Sequence, residues 1–487
     1  MQFPIPDIGW APLLPPLILL VTAALCLFFA LFLEGGRTSA LLALVGLGTA
    51  AVINLFLFQE ARFGDPTAGF WYRYLADLPA AGFNFVILIG TALAILISYD
   101  YLERAELDHP EYYPLILLAS VGAMVMAAAA DLIVLLVGLE IMSLAVYVLS
   151  AWRQGSRESQ EAGMKYFLLG AFASAFFIYG IALLYGATGA FHYTGIISNI
   201  GSETWSQVLA AIGGILILGG LAFKVALVPF HQWAPDVYTG APTPITAFMS
   251  VVVKAAAFAS LIRITTLFFP DFGVVFTIAL TVLVALTLVV GNLAALGQLG
   301  VKRMLAYSAV AHAGYLGLAV LASGELGIRA VIWYLTAYAL MNIGAFSVLT
   351  LITDKNDRGD DLKNLAGLGS RRPTMALALT LFLLSLAGIP PLAGFTAKLL
   401  VLQAAIETGY LWLAILGIIT SIVAVVYYFR VISTMYFRPP EVDVPEFHSR
   451  ATNIAISIAA LGTILLGIFP DWWLQLVSAG RQIVTSL

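Results

Sequence analysis

Apolar positions in this chain do not alternate with polar ones. They form long uninterrupted runs separated by short polar joints. Runs long enough to cross a bilayer fall at about 11–33, 38–58, 81–99, 112–129, 131–152, 163–187 and 208–233, and then at about 243–268, 273–297, 302–322, 326–352, 373–408, 411–436 and 450–469, fourteen in all. Continuous runs predict helices and exclude a barrel, whose strands would alternate with period two. The expected fold class is therefore an all-α polytopic membrane protein with about fourteen transmembrane helices in a single transmembrane domain, 1–487. The longest polar connection, Thr353 to Arg372, is the expected joint between the bundle and its last spans. After the fourteenth run, Trp472 and Trp473 suit an interfacial anchor.

Composition narrows the class further. Of 487 residues, 61% are hydrophobic and 10% charged, with mean hydropathy +0.98. That excludes a water-soluble enzyme, a nucleic-acid binder and a disordered scaffold. The net charge of −4 leaves no basic patch for a polyanion, so no nucleic-acid partner is expected. The single cysteine, Cys26, rules out an internal disulfide and argues against a thiolate-held cluster or zinc site. His109, His192, His231, His312 and His448 are scattered without metal-ligand spacing, so no metal or redox cofactor is expected in this chain. The segment Met1 to Pro16 lacks a basic region, and its apolar run reads as a permanent span and not a cleaved signal. With both termini outside, fifteen of the 23 basic residues fall on inner loops and helix ends, Arg37, Arg153 and Lys302 among them; five fall outside, and three lie within spans. The bias sets that orientation.

Those three lysines, with one glutamate, are the informative charges. Glu140 sits in the fifth run (LLVGLEIMSLAVY), Lys224 in the seventh (LGGLAFKVALVPF), Lys254 in the eighth (MSVVVKAAAFA) and Lys398 in the twelfth (AGIPPLAGFTAKLLV). At about 1.5 Å per residue each is roughly 14 Å or more from an end of its span. A charge at that depth costs about 2.5–3.5 kcal/mol on insertion scales, so it needs a partner, internal water or loss of the proton. A Glu–Lys pair whose separation changes can load or release a proton. Static ion pairs joining helices are the alternative, but three lysines against one glutamate leave at least two without an acid. A proton path explains that ratio better.

Helix interruptions are expected beside two of these lysines, at Gly219-Gly220 before Lys224 and at Pro390-Pro391 with Gly394 before Lys398. A simple kink is the alternative at Pro390-Pro391. The likeness of LAFK and LAGFTAK, five spans apart, hints at a five-helix repeat whose copies have opposite orientations. His312, in KRMLAYSAVAHAGYLG, is a candidate relay because imidazole titrates near about 6.5, with Tyr307 and Tyr315 flanking it. A helix–helix contact is its bland alternative, and Asn292, Asn342 and Ser308 read as packing. The inner loop PFHQWAPDVYTGAPTP, with Pro229, Pro235, Pro242 and Pro244, is expected to be rigid and non-helical. His231 and Asp236 in it either gate proton entry or hold the loop's shape.

Together these segments resemble a known family. PFHQWAPDVYTGAPTP, the Glu140/Lys224/Lys254/Lys398 set, KRMLAYSAVAHAGY and SLAGIPPLAGFTAK are similar to the subunit N family of antiporter-like membrane subunits in bacterial NADH–quinone oxidoreductase (respiratory complex I). That family is similar in turn to mitochondrial subunit 2 and to Mrp-type cation/proton antiporter subunits. PDVYTGAP looks like subunit N; subunit M typically has glutamate where Lys398 stands, and subunit L continues into a lateral helix for which no residues remain after Leu487.

The resemblance implies two inverted five-helix repeats, spans 4–8 and 9–13, with broken helices 7 and 12. In residue numbers this gives spans 1–3 at 11–99, a first repeat at 112–268, a second at 273–436, and the fourteenth span with its tail at 450–487. It implies Glu140 and Lys224 as a coupling pair, Lys254 as connecting lysine, His312 as relay and Lys398 as second-channel lysine. It also implies a proton-translocating subunit of an NADH:quinone oxidoreductase in the bacterial inner membrane. NADH, FMN, iron–sulfur clusters and quinone would lie in partner subunits, and an M-like subunit, small K/J/A-type subunits and membrane lipid would be the neighbours. A Mrp-type or stand-alone cation/proton antiporter subunit is the alternative.

Overall fold

The computed structural model describes residues 8–32, 35–64, 66–201, 203–441 and 447–470, with backbone alone for 267–273. Trp472, Trp473 and Arg481 lie outside the described residues. The helices in chain order are α1 Leu14–Ala30, α2 Arg37–Phe63, α3 Leu78–Arg104, α4 Tyr112–Ala128, α5 Leu132–Ser150, α6 Arg157–Thr188, α7 Tyr193–Asn199, α8 Thr204–Val225, α9 Trp233–Gly240 and α10 Thr243–Phe248. They continue as α11 Lys254–Leu296, α12 Val301–Ala322, α13 Gly324–Ile352, α14 Leu362–Leu365, α15 Leu368–Arg371, α16 Pro373–Ala387, α17 Ala393–Glu407, α18 Leu411–Phe437 and α19 Arg450–Ile468. Among the described residues, 12 helical stretches are long and apolar enough to cross a membrane, and Tyr112–Ala128 and Pro373–Ala387 are shorter apolar helices. The chain is thus a predominantly helical, polytopic membrane protein.

Local chemistry sets the helix starts. Asp77 caps α3 by accepting from Ala80 N, Asp131 caps α5 by accepting from Ile133 N, and Ser156 and Ser449 cap α6 and α19 in the same way. Gly189, at φ +69°, closes α6. The helices sort by enclosure: the stretches Thr243–Thr266, Val301–Ala322 and Gly324–Ile352 are almost wholly buried, while α1, α2 and α6 turn large apolar side chains outward. A bundle in lipid takes that form, because its outer face is solvated by acyl chains.

Four details differ from the sequence-based expectations. A two-stranded hairpin, β1 Thr67–Gly69 with β2 Tyr74–Ala76, stands between α2 and α3, paired Thr67↔Ala76 and Gly69↔Tyr74. The joint between the eighth and ninth runs is helical, so α11 carries the ninth run and the later part of the eighth. The stretch expected to be non-helical contains α9, because Pro235 falls in its first turn, where a missing N–H leaves no bond unmade. The break near Lys224 follows the lysine instead of preceding it. α8 runs unbroken through Gly219-Gly220, and Gly220 serves packing: a Cβ there would sit 2.8 Å from Phe177 Cβ.

Two of the basic residues expected on inner loops and helix ends, Arg153 and Lys302, are buried. The polar connection after α13 folds back over the bundle, Asp354 Oδ1 accepting from Asn356 N and Arg358 N at 2.8 Å each. This delivers Asp357 to a buried cluster, where its Oδ2 accepts from Tyr101 OH at 2.8 Å and Thr243 N at 2.9 Å. The same oxygen lies 3.1 Å from Arg153 Nη2 and 3.6 Å from Lys302 Nζ. One carboxylate therefore ties together α3, the α5–α6 joint, the start of α10 and the start of α12. Removing it would leave two buried cations without their acid, a loss of about 3–5 kcal/mol. Asp357→Ala is expected to lower the thermal unfolding midpoint of the detergent-extracted protein by several degrees; an unchanged midpoint would refute the tie.

Candidate functional site

Lys224 lies in the last turn of α8. The helix ends one residue later because Ala226 adopts φ +60°, and the chain then runs irregularly to α9. The freed backbone groups are satisfied locally: Leu227 N donates to Ala222 O at 2.9 Å, Val228 N to Thr287 Oγ1 at 2.9 Å and Trp233 Nε1 to Phe223 O at 2.8 Å. Trp233 also stacks on Tyr166, centroids 4.3 Å apart, which docks α9 against α6. The break is a built feature that helix-interior hydrogen bonds would otherwise forbid at this depth.

The Lys224 ammonium is 2% exposed. It donates to Ser143 Oγ at 2.7 Å and Tyr147 OH at 3.0 Å and lies 5.1 Å from the centre of the Tyr147 ring. Glu140, half-buried on α5, accepts instead from Ser174 Oγ at 2.7 Å. No ion pair within 4.0 Å joins Glu140 and Lys224. Ser143 stands one turn along α5 from Glu140, on the same face, and occupies the lysine.

Lys254 follows a five-residue π-helical segment, Met249–Val253, and is 2% exposed. It donates to the carbonyl of Ala309 on α12 and lies 5.3 Å from the centre of the Tyr338 ring. That ring is also 5.1 Å from His312, so Tyr338 stands between the lysine and the imidazole. His312 Nδ1 pairs with Tyr334 OH at 2.5 Å and Nε2 with Tyr428 OH at 3.3 Å. Tyr428 bonds Ser308 in turn, so Ser308 joins this network and is not merely packing.

Lys398, on α17, donates to Ala387 O at 2.9 Å and Ser421 Oγ at 2.8 Å. Ala387 is the last residue of α16, and Gly388, at φ +88°, turns the chain away there. The interruption expected around Pro390-Pro391 is thus a full break between α16 and α17. Tyr315 carries the connection back to His312: its ring lies 5.1 Å from Lys398 Nζ and 6.3 Å from the imidazole, centre to centre.

The structure therefore gathers Lys254, His312 and Lys398 around shared tyrosines and places Glu140 with Lys224 at α5–α8. Among the described residues no hydrogen-bonding or aromatic side chain touches both Lys224 and Lys254. Asp236 is held by Lys165 at 2.7 Å and Arg303 at 3.0 Å, which ties α9 to α6 and α12. Tyr307 does not bond His312, whereas Asn292 and Asn342 do pack, against Tyr427 OH and Ser250 Oγ. Ser143, Tyr147, Ser174, Tyr334, Tyr338, Ser421 and Tyr428 escaped the sequence reading. The four-residue spacing of Tyr334 and Tyr338, one helix face, was the available signal. No group of three or more His, Cys, Asp or Glu among the described residues is placed to hold a metal ion.

A buried row of lysines strung between two broken helices in a membrane bundle defines the class of antiporter-like membrane subunits. Residues 129–424 match the family model described as "NADH:quinone oxidoreductase/Mrp antiporter, TM". The chain is 42% identical to NADH-quinone oxidoreductase subunit N of Trichlorobacter lovleyi, over 91% of this chain and 90% of that protein. It is 41% identical to the subunit N of Deinococcus radiodurans, over 97% of each. It belongs to the NADH-quinone oxidoreductase subunit N family. Among solved structures, a chain of respiratory complex I from Thermus thermophilus with bound aureothin is 36% identical, with a TM-score of 0.81 over 96% of this chain and 100% of that one. A chain of the Mrp complex from Dietzia sp. DQ12-45-1b is 22% identical, with a TM-score of 0.84 over 97% of this chain and 96% of that one, and shows the fold alone.

The α16–α17 break depends on close approach. Gly394 N donates to Ser385 Oγ at 3.0 Å, and a Cβ at Gly394 would overlap the Ser385 carbonyl oxygen. Gly394→Ala must push α17 off α16, at a cost of about 1–3 kcal/mol, and carry Lys398 away from Ala387 O. Lower thermal stability together with reduced proton pumping is expected. Gly186→Ala, with open space around it, is the control and should leave both unchanged.

Proposed function

We propose that this chain is a proton-translocating membrane subunit of a respiratory NADH–quinone oxidoreductase, and that Glu140, Lys224, Lys254, His312 and Lys398 carry its protons. The observation that supports this most directly is the chemistry around the three lysines. Each is buried and held by hydroxyls, carbonyls or ring faces, and none by a carboxylate. A lysine so held can give up its proton without stranding a partner acid, whereas a lysine in a buried ion pair cannot.

In this reading the path starts where Glu140 and Lys224 are kept apart by two serines. When quinone reduction elsewhere shifts charge toward this end, Glu140 leaves Ser174 and approaches Lys224. A pair at about 4 Å gains about 4 kcal/mol at an effective dielectric of 20, which moves a proton equilibrium by a factor on the order of 10³. Withdrawal of Glu140 reverses the gain and releases the proton to intervening water, which must bridge to Lys254 and pass the Tyr338 ring to reach His312 and then Lys398. Among the described residues no side chain bonds Lys224 to Lys254, and Tyr338 OH bonds neither Lys254 nor His312.

The finer architecture follows the same reading. The 12 long stretches, α4 and the α16/α17 pair make fourteen spans, with both termini on the outer side of a bacterial inner membrane. Spans 4–8 (112–268) and 9–13 (273–436) form two inverted repeats, whose seventh and twelfth helices are the α8/α9 and α16/α17 pairs. NADH, FMN, iron–sulfur clusters and quinone belong to partner subunits. A cation/proton antiporter role is the lesser reading, since only the fold is shared with the Mrp chain and the full-length relatives carry the oxidoreductase name.

In assembled, quinone-reducing complexes, Lys224→Ala and Glu140→Ala are expected to lower the protons moved per quinone severalfold, and His312→Ala to do the same. Measurement of vesicle acidification alongside quinone reduction tests this. Unchanged pumping in all three variants would sink the path.

A further inference from the structure

The inner ends of α2, α3 and α19 enclose a cavity of about 920 Å³ that takes no part in the proposed proton path. Its lining changes with depth. Arg37, His448 and Arg450 stand at the rim, at the first residues of α2 and beside and on the first turn of α19. Leu41, Leu44, Leu96 and Ile454 form its floor. At about 1.5 Å per residue these apolar positions begin about 6 Å below the rim and reach about 10 Å below it.

The charges at the rim are unequal in their freedom. Glu103 already accepts from Arg37 at 2.5 Å, and Asp100 from Ser449 Oγ at 2.5 Å. Arg104 is fixed by the carbonyls of Thr350 and Thr353 and lies 4.1 Å from the centre of the Phe447 ring. Arg450 and His448 have no hydrogen bond or ion pair among the described residues. Among the described residues the cavity thus offers an unpaired arginine and an imidazole above an apolar floor; Glu103 is paired with Arg37, and Asp100 is bonded to a hydroxyl.

We propose that this cavity binds one anionic phospholipid, its phosphate on Arg450 and His448 and its acyl chains along Leu41, Leu44, Leu96 and Ile454. The layering is that of a phospholipid at the membrane surface, phosphate outermost and chains within, and basic pockets between membrane helices take such head groups. An anionic head group is favoured over a zwitterionic one because, among the described residues of the lining, Arg37, Arg104 and Arg450 outnumber the carboxylates Asp100 and Glu103. The inference needs only that the helix bundle be embedded in a membrane and is independent of the proton path.

The test uses the intact complex in vesicles that contain a phosphatidylglycerol or a phosphatidylcholine carrying a photoactivatable group in one acyl chain. Crosslinked peptides containing Leu41, Leu44 or Ile454 are expected severalfold more often with the phosphatidylglycerol. Arg450→Gln combined with His448→Gln should remove that excess while quinone reduction continues. Equal labelling by the two lipids in the wild-type complex, which requires no variant to assemble, would overturn the proposal. So would an excess that survives the double substitution, or an absence of labelling because a protein neighbour covers the cavity.

Discussion

An ammonium group placed in hydrocarbon must be given acceptors, and each buried lysine of this bundle finds them in its own way. A regular helix has already used its carbonyls once, as Ala309 O inside α12 has when it also accepts from Lys254, and only its last turn leaves them free. Both breaks put such a last turn beside a lysine. Lys224 is in the final turn of α8, and Lys398 reaches the final carbonyl of α16 through Ala387 O. The partial negative charge at a helix C-terminus favours a cation there. The end of α16 therefore serves as a cation site, whereas Lys224 takes its acceptors from Ser143 and Tyr147 on α5; the cost of both breaks in lost helical bonds is offset by Thr287, Trp233 and Ser385, which satisfy the freed backbone and seat the adjoining segment.

Neutral acceptors leave the lysines solvated but not locked. Hydroxyls and tyrosine rings stabilise an ammonium without committing a counter-charge, which is what the proposed path needs of them. The tyrosines around His312 add direction. Tyr338 touches Lys254 and His312, and Tyr315 touches His312 and Lys398, so the imidazole lies between two lysines that never approach one another directly. A relay of that kind requires the helices that carry it to be enclosed, and α12 and α13, which hold His312 and its tyrosine partners Tyr334 and Tyr338, are among the most buried in the chain.

The helical, polytopic class and the burial of Lys224, Lys254 and Lys398 were legible in the sequence, because apolar length and the charges within it are read from one segment at a time. What pairs across segments was not. The glycine pair before Lys224 suggested a break, yet glycine in a helix marks close packing as readily as unwinding, and Phe177 packs on Gly220. The real stop is an alanine in a left-handed conformation, which no local pattern announces. Prolines suggested a loop at 229–244, but the helical tolerance of proline is positional, and Pro235 sits where a helix can begin. Arg153 and Lys302 counted as ordinary inner charges, since nothing near either in sequence points to Asp357, which only tertiary folding brings to them.

The contrast between those charges and the lysines of the middle plane separates structure from transport. Near the ends of the helices, buried cations have acids at short range: Arg263 meets Asp77 through two bonds of 2.7 and 2.8 Å, and Arg153 and Lys302 share Asp357. Pairs of that kind hold their protons and fix helix positions, because separating them leaves an unpaired charge in a medium that cannot solvate it. At mid-depth the same chain places three lysines with no acid in contact, and keeps its one nearby glutamate on a serine. If stability alone had set these positions, carboxylates would serve there as they do at the ends. In the proposed path their absence is what lets each ammonium lose a proton and lets Glu140 set when.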